Sequence, residues 1–196
     1  HSIVALREPP SDLSEMTSQV LYGECFKVLK KRKKWSQIRL SFDSYEGWLD
    51  NKQFQWIEKK DYVQFTSKKE LLCLDLVNFV SDENQQLQPI VLGSILNSCR
   101  LLKHRFECEK SVGKKDKNRL IETALMYLNT PYLWGGKTPF GIDCSGFTQM
   151  VYRLCGFQLK RDASEQVKKG DALSFIEESS PGDLAFFDND QGAIIH

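Results

Sequence analysis

The spacing of apolar residues changes once along the chain, and that change demands two kinds of folding unit. Residues 1 to 110 hold short β-rich runs broken by turn residues, whereas residues 117 to 160 read as two helices around a glycine-rich loop. Between them the string from Glu109 to Lys117 is polar, with a single glycine, which predicts an exposed linker and a unit boundary. The predicted class is therefore α+β, and 196 residues are enough for two or three small domains. With 41% hydrophobic and 27% charged residues the chain is globular. A net charge of +1 argues against a nucleic-acid binder, which needs a strongly cationic footprint. No apolar run approaches the ~20 residues of a membrane helix. The start, His1-Ser2-Ile3-Val4, lacks the pattern of a signal peptide, and a leader already removed is compatible with it.

In the first segment, Glu24 to Leu29 and Trp35 to Leu40 alternate polar with apolar around the basic tip Lys30-Lys31-Arg32-Lys33-Lys34, the pattern of a hairpin. Tyr45 to Leu49 starts another strand, and five strands in under ~60 residues predict a small, partly open barrel. A charged tip ordinarily keeps a hairpin soluble and protects its edge; contact with an anionic polymer is the other use. A faint repeat sets Val20-Leu21-Tyr22-Gly23-Glu24-Cys25-Phe26 beside Val91-Leu92-Gly93-Ser94-Ile95-Leu96, with one residue deleted before the glycine. It predicts a second small barrel over Tyr62 to Glu109, with strands at Gln64-Phe65-Thr66 and Leu71 to Phe79. The domains expected are thus 1–60, 61–112 and 113–196.

From Asp116, a helix cap, the residues Leu120, Ile121, Ala124, Leu125 and Leu128 fall on one helical face that Asn129 and Pro131 stop. The loop Pro131 to Gly141 carries three glycines and leads into Ile142-Asp143-Cys144-Ser145-Gly146, after which Phe147, Met150, Val151 and Leu154 recur at helical spacing. Cys144 therefore sits at a helix start, where unmatched N–H groups favour a thiolate. Taken alone it is as readily structural as nucleophilic. Six cysteines form no C-x-x-C pair, so neither a zinc ribbon nor a disulfide framework is indicated, and most read as small buried hydrophobes. Of the three histidines only His196 follows Cys144, at the end of the strand-like run Ala193-Ile194-Ile195. A Cys on a helix start facing a His on a strand is a papain-like pairing.

Tyr132-x-Trp134-Gly135-Gly136, Gly141-x-Asp143-Cys144-Ser145-Gly146-Phe147, Arg161-Asp162-Ala163-Ser164-x-Gln166, Pro181-Gly182-Asp183-Leu184-x-Phe186-Phe187 and then His196 together resemble the NlpC-type (NlpC/P60) cell-wall cysteine peptidases over residues 117 to 196. The front half resembles the bacterial SH3-like barrels that precede such domains in γ-D-glutamyl-L-diamino acid endopeptidases, through Ser14-Glu15-Met16 and Tyr45-x-Gly47-Trp48.

The resemblance implies a papain-like domain that cuts peptidoglycan stem peptides between γ-D-glutamate and the diamino acid, in wall turnover or recycling. Cys144 would be the nucleophile and His196 the base. Asp143, Ser145, Arg161 and Asp162 would line the cleft and bind the charged ends of the substrate, with Tyr132 and Trp134 as walls. Glu15 and Tyr45, from the first barrel, would read the free amino group of L-alanine. Plainer readings stand beside these: Asp143 as a helix cap, Trp134 as packing, Arg161-Asp162 as a surface turn, Gln166 as structural. The family carries a third polar residue on a strand after the histidine, which this sequence does not contain; an incomplete carboxyl-terminal part of the domain is expected. The competing functions are an amidase or acyl transferase using the same thiol, and a wall-binding module. No metal cluster or phosphate loop appears, so no cofactor is implied. Partners expected are murein fragments, with no nucleic acid and no membrane span, for a monomer of the cell envelope or a cytoplasmic recycling enzyme.

Overall fold

The computed structural model describes residues 1–107, 109–111 and 115–196. Cys108 and, from the expected linker, Val112, Gly113 and Lys114 lie outside the described residues.

Alternation builds the first layer. Strands β1 (Ile3–Glu8), β2 (Glu15–Leu21), β3 (Phe26–Lys31), β4 (Trp35–Leu40) and β5 (Glu46–Asp50) pair antiparallel in the order β2-β1-β5-β4-β3. Val4 and Leu6 of β1, and Ile38 and Leu40 of β4, point inward at every second position. They share one core with Val20 of β2, Leu49 of β5 and, at its margin, Phe26 and Val28 of β3. Both edge strands of the sheet thus feed the same cluster, which requires a curled sheet.

Residues 64–66, expected as a strand, belong instead to helix α1 (Lys59–Thr66). Tyr62 and Phe65, three apart, carry the helical spacing, and no residue of this short helix is buried. Next come β6 (Leu72–Cys73), β7 (Val77–Ser81), β8 (Leu87–Val91), β9 (Arg105–Phe106) and β10 (Lys110–Ser111). Strands β8-β7-β9 form one sheet and β10-β6 another. The expected linker is therefore partly structural, since Lys110 pairs with Cys73 and Ser111 with Leu72.

The two turns of the repeat are equivalent without any deletion. In the first, the Leu21 N–H donates to the Glu24 side chain at 2.8 Å; in the second, the Val91 N–H donates to Ser94 Oγ at 3.1 Å. Each turns through a glycine of positive φ, Gly23 at 80° and Gly93 at 82°. The turns also touch, because the Ile95 N–H donates to the Tyr22 carbonyl at 2.8 Å.

The second half packs helix on helix. Helix α2 (Leu120–Leu125) is entered through a 3-10 turn capped by Asp116, whose carboxylate accepts from the Asn118 N–H. It buries Leu120 and Thr123 against α3 (Cys144–Leu154), with Tyr127 set edge-on to Phe147 at 5.9 Å. Ile121, Leu125 and Leu128, expected on the packed face, are exposed, because the 120, 123, 127 stripe is the one that meets α3. Between the helices lies the hairpin β11 (Lys137–Thr138) and β12 (Gly141–Ile142); α4 (Ala163–Gln166) follows α3. No helix among the described residues is long and apolar enough to cross a membrane.

Ions join the two halves. Arg153 of α3 is 2% exposed; it bonds Glu24 at 2.5 Å and holds Glu70 through two bonds of 2.9 Å. Its guanidinium carbon lies 3.9 Å from the centroid of Phe42. Lys137, fully buried, sits 3.5 Å from the same Glu24 oxygen as Arg153. Burial by itself would raise the Glu24 carboxyl, but Lys137 and Arg153 overcome that and hold it at about 2, below the ordinary 4.5. Burial lowers Lys137 against the pull of Glu24.

Two outcomes follow. A carboxyl depressed in the fold stabilises it above the unfolded pKa, so this contribution is present above pH 4.5 and is lost as pH falls towards about 2. Urea unfolding across that window should show a loss on the order of 3 kcal/mol that is absent from Glu24→Gln. Separately, a Cβ on Gly23 would lie 1.9 Å from the Ile95 carbonyl oxygen, whereas one on Gly93 would lie 2.3 Å from the mobile Met150 terminus. Gly23→Ala should therefore lower the unfolding midpoint more than Gly93→Ala, each costing at least about 1–2 kcal/mol for a left-handed alanine.

Candidate active site

Local chemistry fixes where Cys144 stands. Asp143 is extended at φ −98°, ψ 175° and caps α3, its Oδ1 accepting from the Gly146 N–H at 2.7 Å. Its Oδ2 accepts from the Gly135 N–H at 2.8 Å, so one carboxylate pins both the helix start and the glycine loop. Cys144 is the first residue of the helix and half-buried. A Cβ on Gly146 would come within 2.3 Å of the Gly136 carbonyl, so only glycine lets the loop lie this close to the helix.

Arg161 holds that cap from behind. It is 2% exposed and grips Asp143 through both oxygens, at 3.0 Å and 2.6 Å. The same guanidinium donates to Ser145 Oγ at 2.8 Å and, from Nε, to Ser18 Oγ of β2 at 3.0 Å. Asp143 and Arg161, expected to line the cleft, are thus buried and turned onto each other. Two charges taken out of water need this saturation of their polar atoms. Gln166 of α4 completes the frame, donating to the carbonyls of Ser145 and Lys160 at 2.9 Å and 2.8 Å and accepting from Thr148 at 2.7 Å.

Around this frame the sheet and the loop meet. Glu15, at the start of β2, accepts a hydrogen bond from the indole N–H of Trp134. Tyr132 is 64% exposed, with a phenol raised by desolvation and then by Cys144 and Asp143 nearby. Tyr45 is half-buried; burial raises its phenol, and so does the Asp162 carboxylate facing it. Asp162 is itself raised, first by desolvation and then by Asp143, Asp43 and Glu165, against the opposing pull of Arg161. The structure therefore gathers Cys144, Tyr132, Asp143, Ser145, Arg161, Asp162 and Tyr45, and it sets Glu15 against Trp134.

His196 is exposed. Its ring tilts against Phe187 at 5.9 Å and its backbone exchanges hydrogen bonds with the same residue. Among the described residues no hydrogen bond, ion pair or ring contact joins it to Cys144. The run 193–195 is not a named strand, but it folds back on 187–189 through the bridge Asp188 to Ile194 and through the Asn189 and Ile195 N–H groups, which donate to the Ala193 and Phe187 carbonyls at 3.0 Å and 2.9 Å. Of the remaining thiols, Cys155 is core, its sulfur 3.3 Å from Thr123 Oγ1. No group of three His, Cys, Asp or Glu among the described residues is placed to hold a metal ion.

Ser18 and Gln19 escaped the sequence reading. Both are buried, and the Gln19 side chain accepts from the Lys137 N–H at 2.7 Å, so β2 braces the loop at two adjacent positions. The polar run Thr17-Ser18-Gln19, set between Met16 and Val20-Leu21 of β2, is the available signal.

Residues 129–196 match the NlpC/P60 family, and residues 6–54 match the bacterial dipeptidyl-peptidase Sh3 domain. The chain is 28% identical to the gamma-D-glutamyl-L-lysine dipeptidyl-peptidase of Bacillus subtilis strain 168, over 91% of its own length and 67% of that protein. It is 24% identical to the protein of the same name from Bacillus cereus, over 93% of its own length and 63% of the relative. A crystal structure of an NlpC/P60 family protein from Bacillus cereus superposes with a TM-score of 0.74 at 22% identity, over 92% of this chain and 69% of that one. The fold is therefore that of a bacterial SH3 domain joined to an NlpC/P60 domain.

Removing Arg161 would strand the Asp143 charge in the interior. Arg161→Met should cost about 3–5 kcal/mol in urea unfolding. Pairing it with Asp143→Asn, which keeps a capping oxygen, should recover part of the loss.

Proposed function

We propose that this chain, with its SH3 and NlpC/P60 domains, is a cysteine peptidase that hydrolyses the γ-D-glutamyl amide to the diamino acid in peptidoglycan stem peptides. The observation that carries the reading is the placement of Cys144, on the first turn of α3, over a buried Asp143–Arg161 pair and beside the exposed ring of Tyr132. The names of the relatives point to the same bond.

Cys144 Sγ attacks the amide carbonyl and forms a thioester while the diamino acid leaves as an amine; water then hydrolyses the thioester. The Cys144 N–H, at the first helical position, is among the donors a helix leaves unmatched and meets the developing oxyanion. A single such donor is worth about 2.7–4 kcal/mol in other acyl-transfer enzymes. His196 is the imidazole assigned to hold the thiolate and protonate the leaving amine, a step typically worth ~10²–10⁴-fold. That role requires segment 188–196 to present its ring to Cys144. Asp143 and Arg161 position the nucleophile, and Ser145 lies at their edge.

Glu15, Tyr45 and Asp162 supply acceptors at one end of this surface, with Trp134 and Tyr132 as walls. Two carboxylates and a phenol suit the free ammonium of an amino-terminal L-alanine. The product is then a dipeptide released from the amino end. Equivalence of the Leu21–Glu24 and Val91–Ser94 turns supports reading 61–112 as a second SH3-like barrel after 1–60, with the papain-like domain at 113–196. The substrate places the enzyme in wall turnover or in recycling of wall fragments, in the cell envelope.

The tripeptide L-Ala-γ-D-Glu-diamino acid is the test substrate. Cys144→Ala should abolish release of the diamino acid while the unfolding midpoint stays near that of the parent. Glu15→Gln should raise KM about tenfold, as the loss of one charged hydrogen bond implies, with kcat little changed. The parent should cut the free tripeptide and spare its N-acetylated form. Turnover retained by Cys144→Ala would overturn the assignment of the nucleophile.

A further inference from the structure

The basic tip of the first hairpin plays no part in the site described above. Residues 26–34 hold six cations, Lys27, Lys30, Lys31, Arg32, Lys33 and Lys34, and no acidic residue stands between Glu24 and Asp43. A chain of net charge +1 with six cations in nine residues is net negative elsewhere, so the charge is concentrated here. All six are exposed, and among the described residues none of them is in an ion pair. The acid opposite the tip, Asp50, pairs in register with Trp35 and turns its carboxylate onto the Lys52 N–H at 2.8 Å.

The tip is also tied to its neighbours. Asn51 donates from its side chain to the carbonyls of Arg32 and Lys33 at 2.9 Å and 3.3 Å, and from its backbone N–H to Lys34 at 2.8 Å. Three cations are held over aromatic rings: Arg32 4.5 Å from Trp48, Lys31 5.2 Å from Trp56 and Lys27 5.7 Å from Tyr62. Trp56, 59% exposed, lies on an apolar groove of about 630 Å³ between the sheet and α1, lined also by Phe26, Phe54 and Tyr62. The ammonium groups of Lys27 and Lys31, held over rings beside an open apolar surface, lose little freedom when an anion binds, and Lys30, Lys33 and Lys34 add charge from a backbone the Asn51 bonds hold in place.

We infer that this hairpin and its groove bind an extended phosphodiester-linked polyol polymer, phosphates on the ammonium groups and the carbon chain along the aromatic groove. Lysines are compact point charges that suit single phosphates on a flexible chain, and the one guanidinium is committed to Trp48. A peptide is disfavoured because β3 is the outer strand of its sheet, and lysines on an outer strand oppose strand addition. Such a contact would hold the enzyme to an anionic matrix without involving its catalytic groups.

The test uses the whole chain and a poly(glycerol phosphate) oligomer of defined length, followed by the fluorescence of Trp56 and Trp48. The parent should bind at low salt, with affinity falling linearly on a log–log plot against salt as counterions are released. Lys30→Gln/Lys33→Gln/Lys34→Gln should weaken binding at least tenfold and flatten that slope by about two to three. The Lys→Arg triple variant should bind like the parent, as should Lys168→Gln/Lys169→Gln, which removes two charges elsewhere. No binding by the parent at low salt, parental binding by the glutamine triple variant, or equal competition by a duplex oligonucleotide of the same charge would each overturn the inference. Hydrolysis plays no part in the readout, so this result and the peptidase assignment stand or fall separately.

Discussion

One buried arginine sets the relation between the sheet layer and the helices. Arg153 projects from α3 into the space between Glu24 of the first layer and Glu70 of the second, with Phe42 across its face. Desolvating a guanidinium costs several kcal/mol, and only good geometry with both carboxylates offsets it. The three groups must therefore arrive together or not at all. That requirement acts with the apolar cluster of Leu21, Met150, Val151 and Leu154 to fix how the helix bearing Cys144 is rotated against β2. A purely hydrophobic seam would tolerate a small slide; a forked donor between two carboxylates does not.

The second buried pair, Asp143 with Arg161, converts that relation into local geometry. Ser18 on β2 receives the arginine Nε and Gln19 receives the Lys137 N–H, so a strand of the first layer holds the glycine loop from the outside. The candidate nucleophile is positioned by the sheet as much as by its own helix. Trp134 on Glu15, and the influence of Asp162 on Tyr45, put the proposed recognition residues on the same seam. A shift between the layers would move nucleophile and recognition groups relative to each other.

What was legible in the sequence was local. Asp143 as cap, Cys144 at the helix start and the helix end at Gly156, with φ 81°, follow from chemistry within a turn of each residue. The inward alternation of β1 and β4 was equally visible. Helix α1 is read as a strand from the aromatic and β-branched triplet Gln64-Phe65-Thr66, and the three-residue spacing of Tyr62 and Phe65, which a strand would put on opposite faces, is the signal that reading passes over. The packed stripe of α2 was misassigned because Thr123, a polar residue, lies on it with its hydroxyl against Cys155. Arg153 and Glu24 are 129 positions apart, and each reads as an ordinary surface charge until the fold buries them. His196 is read from order along the chain, as the one histidine that follows Cys144.

Glu24 divides its two oxygens between unlike tasks. Oε2 accepts from the Leu21 N–H and closes the turn after β2, whereas Oε1 meets Arg153 and Lys137. The equivalent turn does the first task with a serine and has no part in the second. On a ribosome the turn at Gly23 emerges long before residues 137 and 153, so the Glu24 carboxylate stays in water until the two cations that neutralise it in the fold have been made. The core of the first sheet needs neither cation, so what waits for the later residues is the burial of Glu24 and the seam it closes.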